Sequence, residues 1–188
     1  MKRLFHLAIE WMPYWFGLLA TSIFFTFIII VLPQQSALAV ANGLVYSIDT
    51  TFFYNAQRLY DIAEAFGASG RNFYLYQRWT FDLMWPLVYT SFIFSLSALL
   101  YKSIGLSPLN YWILAASWLA MGFDYLENTM VSIVMVRFPH PTWIIADLAG
   151  TVTSLKWITL TMSFVVLFLL IILKVTQFIL WQLRRQKR

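Results

Sequence analysis

Two carboxylates stand in this sequence where an apolar setting makes them most costly. Asp124 and Glu127 lie in the run Gly122-Phe123-Asp124-Tyr125-Leu126-Glu127-Asn128-Thr129. With Asn128 they fall at i, i+3 and i+4, which places all three on one face of a helix. Two acids one turn apart in a low dielectric do not ionise together easily. One keeps its proton unless a cation stands between them. That is the arrangement a general acid–base pair requires, so Asp124 and Glu127 are the candidate catalytic residues of an enzyme reading.

Further polar residues fall at depths that allow them to join this pair. Asp82 precedes Pro86 by four residues. A proline there leaves the carbonyl of residue 82 without its helical amide and adds an acceptor at the same level. Lys156, Arg71, Arg78 and Arg137 are the candidate cations, and Asp147, Thr151 and Ser154 share another helical face. The spacing predicts a cavity lined by Asp82, Asp124, Glu127, Asn128 and Lys156, with Arg71 and Tyr74 reaching in. Ligand binding is assigned to Asp82, Asn128, Lys156, Arg71 and Tyr74. The opposing reading is that these groups only lock helices together, since polar residues also act as glue between spans.

Other chemistries find little support. The chain has no cysteine, which removes disulfides, thiolate metal sites and Cys nucleophiles. His6 and His140 fall on opposite sides of the expected topology. No phosphate-binding Gly loop, HExxH or CxxC occurs. A hard-cation site at Asp82, Asp124 and Glu127 is a minor alternative. No metal and no cofactor are therefore expected.

The elements that position these residues follow from composition. Of 188 residues, 61% are hydrophobic and 11% charged, whereas soluble domains sit near half apolar and a quarter charged. Net charge is +5, but it clusters at the chain ends (Lys2, Arg3, Arg184, Arg185, Lys187, Arg188), without the basic stripe of a nucleic-acid binder. The expected fold is all-α: one integral membrane domain, a bundle of four transmembrane helices.

A span needs ~20 apolar residues. The first runs from about 11 to 32 and is ended by Pro33. Ser36-Ala37-Leu38-Ala39 resembles a signal-peptide cleavage site, but the apolar run exceeds the ~7–15 residues of such peptides. A connection over 34–79 is too polar to span. Within it Leu59, Ile62, Ala63 and Phe66 recur at helical spacing, which predicts a short amphipathic helix on the membrane surface or capping the bundle, ended by Gly67 and Gly70. The second span covers 81–101 and the third 111–136, joined by a turn through Ser107-Pro108. Pro139 and Pro141 make a rigid turn, and the fourth helix covers 143–181. Its part before residue 156 is expected to project into the outer interface. Trp11, Trp15, Trp79, Trp112, Trp143 and Trp181 read as interfacial anchors.

The Lys/Arg balance places both termini, Lys102 and Lys174 in the cytoplasm, and the 34–79 connection outside. The cavity then opens outward.

Beyond these readings, Gly70-Arg71-Asn72-Phe73-Tyr74, the stretch Phe81 to Tyr89 with Asp82 and Pro86, Phe123 to Asn128, Arg137-Phe138-Pro139 and Leu155-Lys156 carry a resemblance. In order and spacing the chain resembles a family of small uncharacterised bacterial four-helix inner-membrane proteins. The resemblance implies four helices and a polar cluster, and it implies no activity. Membrane lipids are the expected partners, with a membrane-protein partner or a second copy as further options and no nucleic acid. Three functions compete. One is an outer-facing polar cavity for a lipid-like or amphipathic ligand. The others are an accessory subunit of a larger membrane complex, and a small oligomeric transporter or proton path.

Overall fold

The computed structural model of the chain describes residues 7, 9–44, 46, 48, 51–106 and 113–186. Lys2, Arg3, His6, Ser107, Pro108, Tyr111, Trp112, Lys187 and Arg188 lie outside them. The described residues form an all-α bundle. Helix α1 is Tyr14–Ala41, α2 Ala56–Arg78, α3 Phe81–Ile104, α4 Ala116–Arg137 and α5 Trp143–Gln186. Only the turn at Trp79 and Thr80 separates α2 from α3.

The surface is inverted relative to a soluble protein. Leu18 (71%), Ile29 (69%) and Phe168 (63%) are exposed, while Glu127 (1%) and Lys156 (4%) are buried. Such a distribution is stable when the surroundings are hydrocarbon rather than water. Among the described residues three helical runs are long and apolar enough to cross a membrane: α1, the continuous α2–α3 run and α5. Helix α4, the expected third span, is not among them. Its 22 residues reach about 33 Å at 1.5 Å per residue, which matches a bilayer core. Asp124, Glu127, Asn128, Ser117 and Ser132 lower its hydropathy, and all five are buried against neighbouring helices.

Helices α1, α3, α4 and α5 alternate in direction. Gly17 meets Leu99 and Phe24 stacks on Phe92 at 4.1 Å, so α1 and α3 are antiparallel. Tyr89 bonds Asp124 and Thr153 bonds Glu127, which runs α4 against both α3 and α5. Lys102 Nζ donates to the Glu10 carbonyl and Lys174 Nζ to the Ser103 carbonyl. These cations therefore gather at one end of the bundle, and α2 covers the other.

Three expectations are corrected. Pro33 does not end the first helix. A five-residue π turn, Phe27–Val31, comes just before it, and α-helix resumes over Leu32–Ala41 with the proline in its first turn. Proline lacks an amide hydrogen, so the opening of a new ladder is where a helix accommodates it. The amphipathic helix is not short. Leu59, Ile62, Ala63 and Phe66 are buried as their spacing predicts, but α2 continues to Arg78 across a kink at Gly67, whose φ is 63°. Gly70 lies inside the second half, against Phe66. The apolar face of α2 packs on α4 and α5, so the helix caps the bundle. Finally, α5 before residue 156 does not simply project. Ala146, Ala149, Gly150, Val152 and Thr153 are buried there.

The 51–56 segment explains that last burial. Asp147 Oδ1 accepts from the Ala56 amide at 2.7 Å, Asn55 Oδ1 accepts from the Arg58 amide at 2.9 Å, and together they satisfy two of the free amides in the first turn of α2. Ser154 Oγ donates to the Phe52 carbonyl at 2.9 Å. Thus Asp147 and Ser154 hold this strap onto α5, and Thr151 bonds only back to the Asp147 carbonyl.

Candidate functional site

An apolar core formed by α2 with the adjoining ends of α4 and α5 is separated from a second, around Phe24, Phe92 and Ile93, by a layer of buried charge. The layer contains Arg78 from α2, Asp82 from α3, Asp124, Glu127 and Asn128 from α4, and Lys156 from α5, all buried. Helical spacing aligns the three α4 residues on one face, and antiparallel packing brings Lys156 level with them.

Lys156 is the cation between the two acids. Its Nζ lies 2.5 Å from Glu127 Oε2 and 3.7 Å from Asp124 Oδ1. Thr153 Oγ1 donates to Glu127 Oε1 at 2.7 Å, and Tyr54 hydroxyl reaches the same oxygen at 3.4 Å. Both Glu127 oxygens are therefore held by protein groups, from α5 and from the 51–56 strap. Tyr89 hydroxyl donates to Asp124 Oδ2 at 3.0 Å.

A second pair stands beside the first. Arg78 Nη1 lies 3.1 Å from Asp82 Oδ2 and donates to Asn128 Oδ1 at 3.3 Å. The guanidinium also stacks over the Tyr74 ring, 4.5 Å from its centroid. Among the described residues, buried Asn128 Nδ2 has no hydrogen-bond partner. Near Pro86 it is the Leu83 carbonyl that is satisfied by a side chain, accepting from Tyr125 hydroxyl at 2.8 Å.

These groups floor a cavity of about 490 Å³. Its charged lining is Arg78, Asp82, Asp124 and Lys156; its aromatic lining includes Tyr74, Trp85, Tyr89 and Trp157; and the C-terminal part of α1 supplies an uncharged wall of Leu32, Ala39 and Val40 with Gln35 and Ser36 between them. The volume falls within the ~300–1,000 Å³ of small-molecule sites. The wall exists because α1 continues past Pro33.

The structure divides the expected site residues. Asp82, Asp124, Lys156 and Tyr74 line the cavity. Glu127 and Asn128 belong to the same network but lie behind it, Glu127 only 1% exposed. Arg71 is not brought there: its Nη1 donates to the Ala63 carbonyl at 2.8 Å and its guanidinium lies over Phe138. Arg78 takes the place in the cavity expected of Arg71.

Tyr54 and Thr153 were missed as members, and Tyr89 had no assigned role. Tyr89 stands two turns after Asp82, a spacing that put it on the same helix face. Nothing in the sequence pointed to Tyr54, because its place depends on the course of the 51–56 strap. Among the described residues no group of three or more His, Asp or Glu is arranged to hold a metal ion. Asp82, with Arg78, stands in a separate pair from Asp124 and Glu127.

The arrangement can hold a polar group at the floor and an apolar one along the α1 wall. Of the two paired acids, Asp124 is the one that meets the cavity. Compared with known protein families, curated proteins and solved structures, the chain finds no match.

Proposed function

We propose that this chain is a four-span protein of the bacterial inner membrane, with both termini cytoplasmic, whose cavity binds a lipid-like or amphipathic ligand. The observation that carries the reading is one cavity with two kinds of wall: buried charge on α2, α3, α4 and α5, and on α1 the apolar Leu32, Ala39 and Val40 interspersed with the uncharged Gln35 and Ser36. Such a surface matches a molecule with a polar head and a hydrocarbon body. The fourth span is α4, shielded from lipid on its polar face by its neighbours. The gathering of Lys102 and Lys174 at the end opposite α2 supports termini on the cytoplasmic side. The cavity, close to α2, then opens toward the outer side. The proposed kinship with the small bacterial membrane proteins rests on the same residues, since Tyr74, Asp82, Tyr89, Asp124 and Lys156 all meet here.

If the site turns ligand over, Asp124 is the acid–base residue and Tyr89 sets its position; Glu127 acts through Lys156. The direct test is to purify the protein from membranes and identify its retained lipids. One amphiphile should remain with the wild type and with Asp61→Asn, on the exposed face of α2, and be lost from Asp124→Asn and Ala39→Trp. Equal retention in the wild type and all three variants removes the reading.

A second reading has its own observation. Glu127 is enclosed by Lys156, Thr153 and Tyr54, which is how a helix lock is built. On this reading the network only fixes the bundle as an accessory subunit of a larger complex. Co-migration with a partner on native gels, together with no retained lipid, supports it.

A further inference from the structure

The signs of the charges around the cavity point to the kind of head group it takes, on the reading that the cavity holds an amphiphile. Three carboxylates, Asp82, Asp124 and Glu127, meet two cations, Arg78 and Lys156, in the buried layer. Among the described residues that layer therefore has a formal charge of minus one. Uncompensated charge in a low-dielectric interior is expensive, by several kcal/mol per ion. A ligand that brings a positive charge relieves that cost, and one that brings a negative charge increases it.

Geometry locates the deficit. Lys156 is shared, and Glu127 holds it at 2.5 Å while Asp124 stands at 3.7 Å. Arg78 lies 3.1 Å from Asp82. Asp124 thus stands farther from Lys156 than Glu127 does, and it is the one of the α4 pair that lines the cavity.

The aromatic lining points the same way. Ring faces attract cations within about 6 Å of their centroids. The site already uses this twice, with Arg78 4.5 Å from Tyr74 and Lys156 5.6 Å from Trp157. Trp85 and Tyr89 also line the cavity, and Tyr89 bonds Asp124. A carboxylate beside aromatic rings is a setting for a protonated amine.

We infer that the cavity selects an amphiphile with a protonated amine head group, seated against Asp124 beside Trp85 and Tyr89, with its chain along Leu32, Ala39 and Val40. An anionic head group, which Lys156 alone would invite, is disfavoured because Lys156 is already held by two acids.

The test uses three single-chain probes of equal length, tetradecylamine, tetradecyl phosphate and tetradecanol. Each is added to the full chain in detergent, and retained adducts are weighed by native mass spectrometry. The amine should be retained as one equivalent, at least about tenfold more than either other probe, a ratio equal to ~1.4 kcal/mol. Asp124→Asn, of unchanged shape, should abolish that preference, and Asp61→Asn should keep it. If Asp124→Asn fails to remain monodisperse, Asp82→Asn and Ala39→Trp report on the same cavity. Preference for the phosphate overturns the inference, as does amine retention that survives Asp124→Asn and Ala39→Trp. Equal retention of all three probes, lost in Ala39→Trp, also overturns it but leaves the amphiphile reading intact. No retention of any probe removes both.

Discussion

Lys156 and Glu127 form a contact of 2.5 Å between two helices, with the side chains 5% and 1% exposed. The pair joins the first third of α5 to the middle of α4 and sets the level at which Asp124 faces the cavity. Removing one member of such a pair takes from the other its nearest opposite charge, and breaking a buried pair typically costs about 3–5 kcal/mol. Lys156→Met and Glu127→Gln should each lower the unfolding temperature in detergent markedly. The double variant should be less destabilised than the sum of the two, with a coupling of ~0.5–3 kcal/mol. Strict additivity would mean the contact contributes nothing to stability.

The Thr153 hydroxyl is the second hold on Glu127, at 2.7 Å. Thr153→Val keeps the shape and removes that donor. The cost of leaving a buried acceptor less satisfied is about 1–3 kcal/mol. Tyr54→Phe, acting through a 3.4 Å bond, should cost less. Thermal unfolding of the two variants side by side checks the order.

At Gly150 the backbone of the 51–56 strap lies directly against α5. A Cβ there would fall 1.7 Å from the Tyr54 carbonyl oxygen. Neither group is a flexible side-chain end, so Gly150→Ala should displace the strap and destabilise the fold by several kcal/mol, roughly the upper range of single substitutions. Gly17→Ala is the control: its Cβ would meet only the end of Leu99, at 2.5 Å from Cδ1, and that side chain can turn away. A monodisperse elution peak that survives in Gly17→Ala and is lost in Gly150→Ala is the expected result. Equal behaviour of the two would mean the strap is not held as described.

How far the sequence speaks for this fold depends on the kind of interaction. The α4 face was legible because helical spacing alone aligns Asp124, Glu127 and Asn128, and Lys156 followed from its depth on the next helix. The buried face of α2 was legible for the same reason. The course of α1 was not. Proline ordinarily closes a helix, and whether a π turn prepares the chain for it depends on packing against Phe81 and Trp85. That miss concealed the α1 wall of the cavity. The exchange of Arg71 for Arg78 has a similar origin: the two lie seven residues apart, nearly on one helix face. Only the packing of α2 decides which of them reaches Asp82 and which turns to Phe138.

The cavity wall and the charged floor should be separable by mutation. Ala39→Trp fills the space from α1 without touching Lys156, Glu127 or Thr153. It should leave the Lys156–Glu127 contact in place and still remove bound lipid. A large loss of stability without loss of lipid would place the ligand elsewhere.

The account depends most on an amphiphile occupying the space between Ala39 and Asp124. A crystal structure of the full chain, prepared with its native lipid retained, tests this most directly. Elongated non-protein density should lie along Leu32 and Val40, with its head within hydrogen-bond distance of Asp124. A cavity filled by side chains, or one holding only water while lipid density lies on the outer faces of α1 and α5, would contradict it.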